Sequence, residues 1–129
     1  MDVTAIDAAD IVRLGVPNYN HGALVAGADK WLHLSGQVGV APDGTVSLEF
    51  EGQCRQAFPN IGACPRDAGM GFDDVMMLRI YLTDRSDLAA LRRIRAEFFG
   101  ERRFASTLVI VVRLVDPAWR VDLEVVAAA

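Results

Sequence analysis

Two segments of this chain alternate apolar residues with a period of two on both sides of the strand they predict. In residues 75–83 (VMMLRIYLT), Met76, Leu78, Ile80 and Leu82 form one face, and Val75, Met77, Arg79 and Tyr81 form a second that is only partly polar. In residues 107–114 (TLVIVVRL), Leu108, Ile110, Val112 and Leu114 stand opposite Val109 and Val111. A third segment, 120–126, alternates more conventionally, with Val121, Leu123 and Val125 against Arg120, Asp122 and Glu124. A strand that is apolar on both faces must be covered on both faces. The covering available within the chain is therefore the next constraint.

Two helical stripes are present. Phe50, Cys54, Ala57, Ile61, Cys64 and Ala68 recur at spacings of four and three and stop at Gly69. Pro59 and Pro65 interrupt this stripe, and the reading is one kinked helix rather than two short ones. Thr83-Asp84-Arg85-Ser86 supplies the turn and cap of a second helix, with Leu88, Leu91, Ile94 (or Arg95) and Phe98 facing inward and Gly100 at its end. Upstream lie a short apolar piece at 11–16 closed by Pro17-Asn18, and strands at 22–26 and 31–38 joined by a turn at Gly27-Ala28-Asp29-Lys30. Within 31–38, Leu32 and Leu34 point one way, and Trp31, His33, Ser35 and Gln37 the other. Pro42-Asp43-Gly44 is a turn.

The order is β-β-β-α-β-α-β-β, an α+β domain over residues 1–129 whose two helices can cover one face of the sheet. Nothing in the chain covers the other face, which holds Val75, Met77, Tyr81, Val109 and Val111. An apolar sheet face of that kind predicts association through it. The composition agrees, because 52% of the 129 residues are apolar, slightly above the ~45–50% of ordinary soluble domains.

Thirteen Lys and Arg against 17 Asp and Glu give a net charge of −4, which does not draw in nucleic acid. Cys54 and Cys64 are too few for a disulfide framework, and on one helix they stand about 15 Å apart, beyond bridging. No apolar run reaches membrane-spanning length and the acidic start is unlike a signal peptide, so a cytoplasmic, membrane-free protein is expected. His21 and His33 have no Cys or carboxylate at ligand spacing, so neither a metal nor another cofactor is expected.

Glu124 is the charge of most interest. It shares the open face with Asp122 and Arg120, where partial desolvation raises a carboxylate pKa unless a cation offsets it. Such a group can orient a water or simply pair with an arginine across an interface. Ser35-Gly36-Gln37 closes a strand where a glycine lets a ligand approach the backbone, or where the strand merely bends. Tyr19 follows the Pro-Asn turn. The run Arg92, Arg93, Arg95, Arg102 and Arg103, interleaved with Glu97 and Glu101, reads as a solvated helix face more readily than as an anion site.

Taken in order, SGQVGV-x-PDGTV, EGQCRQAFPNI, AGMGFDDVMMLRIYLTD, AEFFG and VDLEVVA resemble the RidA/YjgF family, also called L-PSP endoribonuclease and translation inhibitor, over residues 17–127. The resemblance implies a chorismate-mutase-like fold, with a mixed six-stranded sheet and two helices on one face, and a homotrimer with small-molecule clefts between subunits. It implies hydrolysis of reactive enamines and imines to a carbonyl compound and ammonia. It also implies that Glu124 orients the water, that Gly36 beside Ser35 offers backbone contacts, and that Tyr19 closes the cleft. The arginine that holds a substrate carboxylate does not carry over. The family's P-x-R-S stretch reads Phe104-Ala105-Ser106-Thr107 here, so Ser106 stands at the arginine position, and Arg92 replaces an expected asparagine.

A serine hydroxyl cannot form the charged bidentate pair of a guanidinium. The substitution points away from simple 2-imino acids unless Arg92, Arg102, Arg103 or Arg113 reaches the cleft. Two readings stand: a Rid-type hydrolase using Glu124 and Ser106, and a catalytically silent trimeric small-molecule-binding member. Ribonuclease or translation-inhibitor activity follows from the older name alone. The acidic charge, the lack of stacking aromatics and the lack of a histidine pair weigh against it.

Overall fold

The alternations and stripes fold as β1 (Asp2–Ile6), β2 (Tyr19–Asn20), β3 (Gly22–Ala26), β4 (Trp31–His33), β5 (Gln37–Val38), α1 (Phe50–Asp67), β6 (Val75–Leu82), α2 (Leu88–Phe99), β7 (Phe104–Ile110) and β8 (Val121–Ala128). This is a computed structural model and it describes residues 1–12, 14–15 and 18–129. The six-stranded sheet runs β2-β7-β6-β8-β4, with β5 also paired to β8. β2 and β6 lie parallel to β7, while β4, β5 and β6 lie antiparallel to β8, so the sheet is mixed. β1 and β3 form a separate antiparallel ribbon.

Both helices cover one face. Leu78, Ile80, Leu82, Val121, Leu123 and Val125 from the sheet are buried against Phe50, Cys54, Ala57, Phe58 and Ile61 of α1 and Leu91 and Ile94 of α2. Rings tie the layers together: Phe58 stacks on Phe98 at 5.2 Å, and Phe99 meets Phe104 of β7 edge-on at 5.0 Å. Two helices on one face are thus as the periodicity predicts, and the mixed six-stranded sheet is as the resemblance implies. No helix among the described residues is long and apolar enough to cross a membrane.

The differences have local causes. α1 is one helix despite Pro59 and Pro65, and its stripe drifts by one residue, burying Phe58 and Pro65 and leaving Cys64 exposed. Val75 is fully buried rather than open-faced, because a register shift between Val75 and Met77 turns it inward. β7 starts at Phe104 and ends at Ile110, not at 107 and 114. Its partner β6 ends at Leu82, whose carbonyl takes the last bond from the Val111 N–H, so Val112 onward has no strand to pair with. Segment 31–38 is two short strands split by Leu34-Ser35-Gly36, which puts Gln37 opposite the inward Leu123. The piece at 11–16 is not a strand where described: Ile11, Val12 and Leu14 are exposed, and Arg13, Val16 and the expected Pro17 stop lie outside the described residues. The first strand is instead Asp2–Ile6. Its partner is β3, while β4 turns away to pair with β8.

Candidate active site

The expected residues fall into two groups on opposite faces of the sheet. On the open face, Glu124 stands opposite Arg79 on β6, and Arg79 opposite Thr107 on β7. Tyr81 donates its hydroxyl to Glu124 Oε1 at 2.9 Å, and Arg79 Nη1 lies 3.4 Å from the same oxygen. Both contacts fall on Oε1, leaving Oε2 without a donor among the described residues. Hydrogen bonding to Glu124, then partial desolvation, pushes the Tyr81 phenol above its ordinary range. Among the described residues Arg79 is therefore the guanidinium paired with the carboxylate, in place of the Arg120 expected to share its face. Arg120 Nη2 reaches back to both Asp87 oxygens at 2.8 and 3.0 Å.

Ser35 and Gly36 run alongside this cluster. The Leu34 N–H donates to Val125 O, and a Cβ built on Gly36 would lie 2.5 Å from Asp122 Oδ1. The glycine therefore permits the close approach of loop and carboxylate. Asp122 Oδ1 is buried without a partner among the described residues, and desolvation followed by the charge of Glu124 raises this carboxyl above the usual range.

On the helix face, Ser106 stands opposite Leu78, in the row of the buried Val125. It lines a cavity of about 290 Å³ between α2 and the sheet, together with Tyr19, Asn18, Arg92, Arg95, Leu14, Ile80, Leu88, Leu91 and Leu108. Tyr19 is placed there because β2 pairs with the start of β7, Tyr19 opposite Phe104. One chain thus gathers Tyr19, Arg92 and Ser106 in one place and Ser35, Gly36 and Glu124 in another, and does not bring the two groups together.

Of the four arginines considered for the missing carboxylate contact, only the exposed Arg92 lines the cavity. Arg102 is committed elsewhere, its Nη1 and Nη2 donating to Phe72 O and Val75 O at 2.7 and 2.8 Å. The arginine run is not a uniformly solvated face: Arg93 pairs with Glu51, but Arg95 is only 7% exposed and Arg102 is half-buried. Both Ile94 and Arg95 face inward, where the sequence left one or the other. Arg95 is a cavity-lining residue that the sequence did not single out; its place on the inward stripe was the available signal. Among the described residues no group of three His, Cys, Asp or Glu side chains assembles that would hold a metal ion.

The sequence pattern of the family described as Endoribonuclease L-PSP matches residues 12–129. A RutC family protein of Pyrococcus horikoshii is 32% identical over 102 residues, covering 78% of this chain and 80% of the relative. The Homo sapiens protein named 2-iminobutanoate/2-iminopropanoate deaminase is 27% identical over 111 residues, covering 84% and 78%. The crystal structure of YyfB from Yersinia pestis, a protein of unknown function in the conserved Rid family, superposes with a TM-score of 0.85 at 24% identity, covering all of both chains.

Proposed function

The chain belongs to the Endoribonuclease L-PSP (RidA/YjgF) family, and from that premise we propose that it is a hydrolase deaminating a reactive imine or enamine to a carbonyl compound and ammonia. The observation that carries this reading is Glu124, whose Oε1 is held by Tyr81 and Arg79 while Oε2 has no donor among the described residues. The name of the human relative supports the reaction class.

As water adds to the C=N carbon, Glu124 takes one of its protons and passes it to nitrogen, giving a carbinolamine. A second transfer from the new hydroxyl to nitrogen releases ammonia as the C=O bond forms. The balance is one imine and one water consumed, one carbonyl compound and one ammonia formed. The water oxygen becomes the carbonyl oxygen, and both water hydrogens leave on nitrogen. An enamine enters by taking a proton on its β-carbon and losing one from nitrogen.

In this reading three copies pack through their open faces. Glu124, on the open face, then lies at the boundary between copies. The net charge of −4 gives no support to RNA as substrate.

The test is ammonia and carbonyl release from imines generated in situ by an amino-acid oxidase, comparing wild type with Glu124→Ala and Glu124→Gln. Activity that falls at least a hundredfold in both variants is expected. Equal activity in the variants would remove Glu124 from the mechanism, and no release from any imine would leave the silent, ligand-binding reading.

A further inference from the structure

Glu124 is held from one side only. Its strand, β8, lies between β6 and β4, and both contacts on its carboxylate, from Tyr81 and Arg79, come from β6. On the β4 flank stands His33. It is opposite Val126, two residues from Glu124 on the same face of β8. The Leu34 N–H donates to Val125 O, so His33 and Val126 form the non-hydrogen-bonded pair, in which side chains approach more closely. His33 and Glu124 are therefore diagonal neighbours, roughly 7–8 Å apart in position and within reach of aromatic and long side chains.

The ladder breaks at this point. Between the Leu34–Val125 bond and the Gln37–Leu123 pair, Ser35 and Gly36 oppose Glu124 alone, a bulge of two residues against one. His33 is thus the last residue of β4 on the open face, at the edge of the interruption beside the carboxylate. Its imidazole is exposed and makes no hydrogen bond or ion pair among the described residues.

The reaction needs such a group. Glu124 takes one water proton and returns it to nitrogen, which completes addition. Breakdown of the carbinolamine then needs a proton delivered to nitrogen and another removed from the hydroxyl. The charged and titratable groups around His33 on this face are Glu124 and Asp122 of β8 and Arg79 and Tyr81 of β6. Lys30, just before β4, directs its Nζ to Ala68 O. A guanidinium does not give up its proton. The Tyr81 phenol is bound to Glu124 and held above its ordinary range, and Asp122 Oδ1 is buried. Imidazole is the side chain whose charge ordinarily changes near neutrality, so it both gives and takes a proton.

We propose that His33 is a second catalytic residue, carrying the breakdown of the carbinolamine. This rests on the hydrolase reading given above and assigns the transfer which that reading leaves without a group. The imidazolium delivers its proton to the amino nitrogen. The C–N bond breaks with its electron pair going to nitrogen, and ammonia leaves. A lone pair on the hydroxyl oxygen forms the C=O bond, and the hydroxyl proton passes to the imidazole, which is restored as imidazolium. No proton is gained or lost over the step.

The experiment follows ammonia release, above the spontaneous rate, from imines generated in situ between acid and alkaline pH. His33→Gln is expected to lower kcat at least tenfold while KM changes less than threefold. Wild-type kcat is expected to fall on the alkaline side, where imidazolium is lost, and that fall is expected to be absent in His33→Gln. Added imidazole is expected to restore His33→Ala at least fivefold and to leave Glu124→Ala unrestored. A histidine with only a structural role would show neither the altered profile nor the rescue.

A kcat in His33→Gln within twofold of wild type, an unchanged pH profile or a failure of rescue overturns the assignment and leaves the hydrolase standing. Should the variants not fold, carbethoxylation of wild type decides. Modification mapped to the exposed His33, with the 8%-exposed His21 side chain unmodified, is expected to abolish activity. Full activity of that modified protein overturns the assignment. No ammonia from any imine in wild type sinks the hydrolase reading itself and takes this step with it.

Discussion

Tyr81 and Glu124 are joined across neighbouring antiparallel strands by a 2.9 Å hydrogen bond from the phenol to Oε1. They are a diagonal pair, since Glu124 stands directly opposite Arg79 and Tyr81 directly opposite Asp122. The bond favours the protonated phenol, so Tyr81 holds its proton beyond the ordinary tyrosine range. In a Tyr19→Phe background, absorbance titration should show Tyr81 ionising late, and adding Glu124→Ala should bring that transition down. Tyr81→Phe should lower kcat roughly 10- to 100-fold, the equivalent of losing one hydrogen bond to a charged group. An unaltered kcat would mean the phenol does not position the carboxylate.

That pair also shows what could be read in the sequence. Parity alone put Tyr81, Arg79, Asp122 and Glu124 on one face, because a strand offers each side chain only two directions. Parity failed where the ladder is irregular. The shift at Val75–Met77 and the break at Leu34-Ser35-Gly36 each reverse inward and outward for the residues beyond them. The end of β7 was illegible because Val112 and Leu114 are as strand-like as Leu108; the length of β6 terminates the pairing. Arg95 was hidden by its type, since a charged residue on an inward stripe is ordinarily read as a boundary of that stripe.

The two glycines that flank β5 should respond very differently to alanine. At Gly36 the added Cβ meets the tip of the Asp122 side chain at 2.5 Å, and a carboxylate can rotate away. At Gly39 it runs into the Gln53 backbone carbonyl, inside α1, where nothing can move without the helix. Gly36→Ala should cost under about 1 kcal/mol and impair activity by displacing Asp122. Gly39→Ala should cost about 3 kcal/mol or more. Denaturant midpoints measure both, and equal losses would contradict the assigned contacts.

Asp122 supplies a pH signature. Desolvation, then Glu124, raises its carboxyl above the ordinary aspartate value, so the folded state holds the proton more tightly than the unfolded chain does. The associated stability is fully present below the unfolded pKa and is lost as pH rises through the higher folded pKa. Asp122→Asn removes that loss. Its Tm should exceed that of wild type by a few degrees at neutral pH, with the gap closing as both are acidified towards pH 3. A gap that widens on acidification reverses the sign and rejects the account.

The two thiols should separate cleanly by reactivity. Burial pushes the Cys54 thiol up to about 12, while Cys64 is exposed on the same helix. A thiol reagent at pH 8 should label one cysteine in native protein and two in denaturant. Mass mapping should place the native label on Cys64. Native labelling of Cys54 would show that α1 opens locally.

Val109 tests association directly. It lies on β7 opposite Tyr81, which stands opposite Asp122 on β8, and it is 40% exposed in the single chain. On a surface that remained in water, Val109→Glu would be worth within about 0.5 kcal/mol either way. In a packed subunit interface the same change buries a carboxylate beside Asp122 and Glu124, where like charges and lost hydration both oppose assembly. Sedimentation should therefore give a trimer for wild type and a smaller or aggregating species for Val109→Glu. Imine hydrolysis should fall with the trimer, because Glu124 lies on the face that assembly covers. A soluble, fully active Val109→Glu monomer would show that one chain suffices, and would separate catalysis from assembly.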